Sequence, residues 1–393
     1  MRDSAWKGAK EEDKAEIFNF AEEYTEFLFH GKTERECVEI IKEQALENGF
    51  TAEKEGVDKL IYVERNKSCA LVVKGKEPIT KGARIIVSHI DSPRLDLKPN
   101  PLFEAQDLAL FHTHYYGGIK KYHWVSIPLA LHGVVCLQNG EKIKVVIGEE
   151  EGDPVFTIAD ILPHLSRKAM GEKKASEFIH GEKLCVICGS IPDTAEKDPV
   201  KQKVLSLLKH KYSIDEEDFI SAEIEVVPAG KPRDIGFDRG LIGGYGHDDR
   251  ACAYASLRAI LDVKEPEHWN IVLFLDKEEI GSAGDTSAQS HFLWDVIRLA
   301  FKMTGQHPSW DAVRGVFLES SCLSGDVNAG INPMYPEVHD ADNAARIGHG
   351  VCLTKYTGVG GKKGSNDAHA EFIAELRRIF NEAGVQWQIG ELG

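Results

Sequence analysis

No stretch of this sequence is apolar enough to cross a bilayer. The longest candidate, "WVSIPLALHGVVCL" at 124–137, is broken by Pro128, His132 and Gly133 and falls short of the roughly 18 residues that a membrane helix needs. A secretory leader is also missing, because the opening "MRDSAWKGAKEEDK" is charged and holds no apolar core. Cysteine is sparse, with eight residues scattered over 393, which speaks against a disulfide framework and favours a reducing compartment. The pair in "CVIC" at 185–188 has no second Cys/His pair at zinc-ribbon spacing and reads as two structural thiols. A basic surface is lacking as well: the formal net charge is -16 and the lysines and arginines are dispersed, so neither DNA nor RNA is an expected partner. The expectation is a soluble, cytoplasmic protein that engages neither membrane nor nucleic acid.

What is present is globular. The chain is 42% hydrophobic and 28% charged, without repeats or low-complexity tracts, and its length predicts two domains, or one domain with a large insertion. Residues 15–29 have helical apolar spacing, and "TERECVEIIKEQALENGF" opens with Thr33 followed by Glu36, a capping-box pattern. "LIYVER", "CALVVKG" and "ARIIVSH" (83–89) then read as strands, the last buried on both faces. From about 95 to 235 the pattern changes to short β-like segments such as "KIKVVIG" and "AEIEVVPAG". After that, "RACAYASLRAILD" reads as helix, "NIVLFLD" as strand, "SAQSHFLWDVIRLAFKM" as helix, "GVFLES" and "GVCLTKY" as strands, "DAHAEFIAELRRIF" as helix and "VQWQIG" as strand. The predicted organisation is an α/β domain formed by residues 1–95 and 236–393, interrupted by a mostly β insertion over 96–235.

Chemistry-bearing residues gather where these elements meet. His89 and Asp91 directly follow "RIIV", Asp248 and Asp249 open a helix, Glu278 and Glu279 follow "IVLFL", and Asp326 follows "GVFLES". Taken singly, each has an ordinary reading: a core histidine, an N-cap, a solvated loop, a turn aspartate. The carboxyl ends of strands in an open α/β sheet form the ligand crevice, and a histidine with several carboxylates there repel one another unless a cation neutralises them. Such N/O donors suit zinc, with manganese or cobalt as alternatives, as one ion or as two bridged by a carboxylate. Hydrolysis by activated water is the matching chemistry. Adjacent Glu278 and Glu279 serve one site only if the backbone has left the sheet, since strand neighbours point to opposite faces. One would then bind metal while the other takes a proton.

The motifs "SHIDSPR", "DKEEIGS" and "SGDVNAGINPMYPEVHD", in that order, resemble those of the aspartyl aminopeptidase and vacuolar aminopeptidase I family of dinuclear zinc exopeptidases. The resemblance runs from the N-terminal helices to residue 393. It implies a mixed sheet sandwiched by helices with an inserted β-rich dimerisation domain, two zinc ions, and removal of N-terminal residues from peptides. It further implies that His89, Glu279 and Asp326 bind zinc, that Asp248 bridges the ions, that Glu278 is the general base, and that Asp91 orients His89. Family members form tetrahedral dodecamers built from dimers, in which a histidine of the inserted domain reaches a neighbour's site; His164 matches that role.

Acidic N-terminal residues are the family's usual substrates, and Lys355, Lys362 and Lys363 in "LTKYTGVGGKKG" are the cations available for them. Family members continue past the equivalent of "GELG" to a last histidine ligand. With Gly393 as the final residue, the expectation is a chain cut short of that ligand or a metal site lacking it. Two other functions share these residues: a dinuclear deacylase, and a catalytically impaired assembly protein.

Overall fold

The structure, a computed structural model, describes residues 3–358, 364 and 367–391. It divides into two compact units, Tyr24–Gly325 on one hand and Met1–Glu23 with Asp326–Gly393 on the other. The boundary at residue 23 falls inside helix α1 (Glu11–His30).

The first unit is built around a five-stranded mixed sheet of β1 (Lys59–Glu64), β2 (Ser68–Val73), β3 (Ala83–His89), β12 (Trp269–Leu275) and β13 (Ser321–Ser324). Their order is β1-β2-β12-β3-β13, with β3, β12 and β13 mutually parallel and β1 and β2 antiparallel. Helices α2 (Glu34–Glu47) and α5 (His247–Leu261) cover one face, and α6 (Phe292–Met303) and α7 (Trp310–Glu319) the other. The unbroken apolar run of β12 is explained by this sandwich: Val272 and Phe274 enter the first core while Ile271, Leu273 and Leu275 enter the second. Each such side chain contributes about 1.5–3 kcal/mol on burial. α2 begins at the predicted capping box, with the Glu36 amide donating to Thr33 Oγ1 at 3.2 Å and the Thr33 amide to Glu36 Oε2 at 3.1 Å.

The register of the parallel strands positions the site. Leu275 lies opposite His89 and Ser324 opposite Val87, so the three strands end at one edge of the sheet. Just beyond that edge, the Gly325 amide donates to the Val87 carbonyl at 2.7 Å.

The same unit contains an entirely antiparallel six-stranded sheet. It comprises β4 (Arg94–Ala105), β5 (Leu108–Tyr116), β6 (Leu129–Cys136), β7 (Lys142–Ile147), β8 (Val186–Gly189) and β9 (Ala222–Pro228), in the order β7-β6-β9-β4-β5-β8. Two helices not expected within this β-rich stretch are present, α3 (Pro163–Met170) and α4 (Pro199–Tyr212). α4 has Pro199 in its first turn and buries Val200 and Val204 against the sheet. A short ribbon of β10 (Arg233–Ile235) and β11 (Leu241–Gly243) leads back to α5.

"GVFLES" is not the strand it was expected to be. Gly315–Glu319 end α7, and the strand β13 begins only at Ser321. Ser309 caps that helix by accepting from the Ala312 amide at 3.2 Å, and Val313 and Val316, three residues apart, face the core. The helical period begins before the apolar run, which is why the run alone misleads.

In the second unit, β14 (Val351–Leu353) pairs in parallel with β15 (Trp387–Ile389), and α8 (Ala370–Glu382) lies between them in sequence. The Ala5 amide donates to the Gly348 carbonyl at 2.7 Å, joining the chain's first residues to this segment.

Candidate metal centre

His89 ends β3 and is buried. Its Nδ1 lies 3.1 Å from the Asp91 carbonyl oxygen and 3.3 Å from Asp91 Oδ1, while Nε2 lies 3.1 Å from Asp248 Oδ1 and 3.9 Å from Glu278 Oε2. With the Nδ1 proton committed to Asp91, Nε2 turns a lone pair toward a carboxylate oxygen. Two lone pairs at that separation need either a proton or a metal cation between them. Donors held tetrahedrally at about 2.0–2.1 Å from one zinc ion sit about 3.3 Å apart, so this pair fits a shared metal.

Asp248 lies in the first turn of α5, joined to Asp249 by a cis peptide, with non-helical backbone at both residues. The Ser92 hydroxyl donates to the Asp248 carbonyl, and buried Arg250 donates to that hydroxyl and, at 2.9 Å, to the Lys32 carbonyl. The Asp248 carboxylate itself is exposed.

The two glutamates follow the end of β12. Lys277 has φ +69, Glu278–Ile280 form a single 3-10 turn, and Gly281 with φ +95 closes it, its amide donating to the Glu278 carbonyl at 2.9 Å. The backbone has therefore left the sheet, as two roles for neighbouring residues require. Glu278 is exposed, whereas Glu279 is half-buried with Oε1 buried and without a hydrogen-bond partner. Burial, with the like charge of Asp248, pushes the Glu279 carboxyl up to about 7. An orphaned buried carboxylate oxygen beside other carboxylates is the second observation that fits a cation.

Asp91 is fully buried beneath this cluster. Its Oδ1 accepts from the Glu278 amide at 3.1 Å, and its Oδ2 from the Glu279 amide at 3.2 Å and the Tyr116 hydroxyl at 2.7 Å. Burial alone would raise its pKa, but the hydrogen bonds from His89 and Tyr116 outweigh it and hold the carboxyl below its usual value. Burial and the neighbouring Asp91 charge hold the Tyr116 phenol well above its usual value, so it remains a donor.

His89, Asp91, Asp248, Glu278 and Glu279 thus meet at one sheet edge. Asp326 is the residue after Gly325, and its Oδ1 accepts from the Val327 amide at 2.7 Å. His164 lies on exposed α3, outside the cluster. Lys355 belongs to the other unit, 3.9 Å from Asp367 Oδ1; Lys362 and Lys363 fall outside the described residues. Sequence reasoning missed Tyr116, Ser92 and Arg250. Ser92 and Arg250 flank predicted site residues in the chain, but nothing in the sequence links Tyr116 to Asp91. The eight cysteines are free thiols, and burial pushes the Cys188 thiol up to about 12.

A family model described as "Aminopeptidase I zinc metalloprotease (M18)" matches residues 27–393. A "Probable M18 family aminopeptidase 1" of Thermotoga maritima is 48% identical over 398 residues, covering 100% of this chain and 86% of the relative. Its namesake in Borrelia garinii subsp. bavariensis is 47% identical over 400 residues, covering 100% and 87%. The crystal structure of an M18-family aminopeptidase from Thermotoga maritima superposes with a TM-score of 0.94 at 48% identity, over 100% of this chain and 87% of that one. The mApe1 dodecamer of S. cerevisiae shares the fold, with a TM-score of 0.74 at 18% identity over 95% and 85%.

Proposed function

From the premise that this chain belongs to the aminopeptidase I zinc metalloprotease (M18) family, we propose which of its side chains carry the reaction. The protein is a zinc-dependent aminopeptidase of zinc-exopeptidase fold, which hydrolyses the bond after the first residue of a peptide. Zinc, when bound, polarises the scissile carbonyl and makes water a nucleophile near neutral pH. His89, Asp248 and Glu279 would hold it, and Asp248 would be shared with a second ion if two bind; manganese or cobalt would offer the same Lewis-acid chemistry. Asp326 is assigned as a further ligand from its place in the chain, directly after Gly325, whose amide is tied to β3 two residues before His89.

Glu278 is the general base: it takes the proton of the attacking water onto its carboxylate and returns it to the leaving amine. The observation that carries this division of labour is the contrast between adjacent residues, Glu278 exposed and Glu279 with a buried oxygen lacking a partner. Asp91 keeps the His89 lone pair on Nε2 by binding Nδ1. In Glu278→Gln, kcat should fall about 10²–10⁴-fold while zinc content, measured by atomic emission, stays at the wild-type value. Wild-type turnover would remove Glu278 from this role.

Acidic N-terminal residues are the proposed substrates, with Lys355 as their cation, and turnover of Asp-, Glu- and Leu-leading peptides decides the point. The protein works in the cytoplasm as a homo-oligomer, a tetrahedral dodecamer built from dimers, with residues 96–235 inserted between 1–95 and 236–393 as the dimerisation domain and His164 entering a neighbour's site. The mApe1 structure, named as a dodecamer, supports the assembly. Neither the deacylase nor the impaired assembly protein is favoured by relatives named as aminopeptidases over the full chain.

A further inference from the structure

We propose that Tyr116, held by Arg94, is a positioning residue for the metal centre, fixing through one hydrogen bond the carboxylate that orients His89 and anchors both glutamates. This rests on the reading of His89, Asp248 and Glu279 as metal ligands.

Asp91 is the point through which the centre is assembled. Its two oxygens receive His89 Nδ1, the amides of Glu278 and Glu279, and the Tyr116 hydroxyl. Three of these donors belong to the segments that carry the proposed ligands and base. The fourth arrives from outside, at the last residue of β5 in the six-stranded sheet. At 2.7 Å it is shorter than either amide contact, so it does most to fix the rotation of the carboxylate about its Cβ–Cγ bond.

Tyr116 is itself held in place. It lies opposite Arg94 in the β4–β5 register, and the Arg94 guanidinium sits 3.9 Å from the centre of its ring. Arg94 Nε donates to Asp96 Oδ1 at 2.9 Å and lies 3.2 Å from Glu225 Oε2. A cation on the ring face draws electron density from the phenol and strengthens its donation. Directly after Tyr116 the chain reverses at Gly117, with φ +74, where a Cβ would come within 3.3 Å of the Glu279 Cβ and of Pro93. A side chain at Gly117 would be strained by that φ and tight against the glutamate turn. The six-stranded sheet therefore does more than offer a surface for assembly: its corner fixes the hydrogen bonding on which the metal site's geometry depends.

The test is zinc binding to metal-free full-length protein, by competition with a chromophoric chelator, together with peptide kinetics. Tyr116→Phe keeps the ring and the Arg94 stack and removes only the hydroxyl. It should weaken zinc binding about 10–100-fold and lower kcat with KM little changed, while Tyr115→Phe, on an exposed neighbouring ring, leaves both at wild-type values. Wild-type zinc affinity and kcat in Tyr116→Phe overturn the proposal. Should that variant fail to fold, Arg94→Lys decides. It keeps the charge but loses the planar stack, so weaker zinc binding is expected and wild-type affinity overturns the proposal. A wild-type protein that binds no zinc would instead refute the metal-site reading, so the two failures are distinct.

Discussion

Asp91→Asn changes one buried atom and leaves the shape of the side chain intact, yet the hydrogen bonding around it cannot adapt. If the new amide nitrogen takes the Oδ2 position, it faces the Tyr116 hydroxyl, which can turn to accept, and the Glu279 amide, which cannot. If it takes the Oδ1 position, it faces the Glu278 amide and His89 Nδ1. The histidine could then accept only by moving its proton to Nε2, the atom that faces Asp248. Either way a backbone N–H is stranded, at about 1–3 kcal/mol, and the remaining bonds lose their charge assistance, which roughly halves their strength. Relief of a buried charge works in the opposite direction. The lowered Asp91 pKa shows that the surroundings favour the charged form over the neutral one, so the net sign is destabilising, by about 2–4 kcal/mol. In a chain of 393 residues that is a fall of roughly 2–5 °C in Tm. The assay is thermal unfolding followed by circular dichroism in excess chelator, which isolates the hydrogen bonds from metal binding. A metal-free variant melting within about 1 °C of wild type would refute the reasoning.

Two further outcomes concern charge and metal. His132 Nδ1 lies 2.9 Å from Glu36 Oε1 and its Nε2 3.0 Å from Glu149 Oε1, with Lys32 also bonded to Glu149. Burial alone would lower the His132 pKa, but the two carboxylates outweigh it and raise it. A raised folded-state pKa means stabilisation fully present below the unfolded value of about 6.5 and lost as pH climbs through the folded value. The stability gap between wild type and His132→Gln, read from urea midpoints, should narrow with rising pH; a gap that widens contradicts the assignment. Adding zinc to metal-free protein at about 100 times Kd should raise stability by about 2.7 kcal/mol, seen in calorimetry as a higher Tm that chelator reverses. An unchanged Tm would count against a metal bound in the folded state.

The sandwich was legible because β3 and β12 are buried on both faces, so their sequences are apolar without alternation. The capping box at Thr33 was legible because its two partners are three residues apart. "GVFLES" was not, because its helical phase is set upstream at Ser309. α4 is hidden in the sequence by the strand-like segments on either side of it, although Pro199 and the spacing of Val200 and Val204 mark it. At the site, the glutamate turn could be inferred from the demand that both carboxylates serve one place, and the resemblance supplied the residue roles. The contacts of Tyr116 with Asp91, and of Arg250 with Ser92, join residues 25 and 158 positions apart. Such pairings exist only once the two sheets are folded, and no local pattern encodes them.

The parallel register that sets Leu275 opposite His89 also makes strand length a ruler for evolution. Side chains along a strand alternate between faces, so inserting one residue within Ala83–His89 would carry the histidine to the wrong side of the sheet while leaving the segment just as apolar. A two-residue change would restore the face but move the ring by about 7 Å, out of reach of Asp248. Drift in this protein can therefore exchange one apolar side chain for another within β3 and β12 far more freely than it can lengthen or shorten either strand.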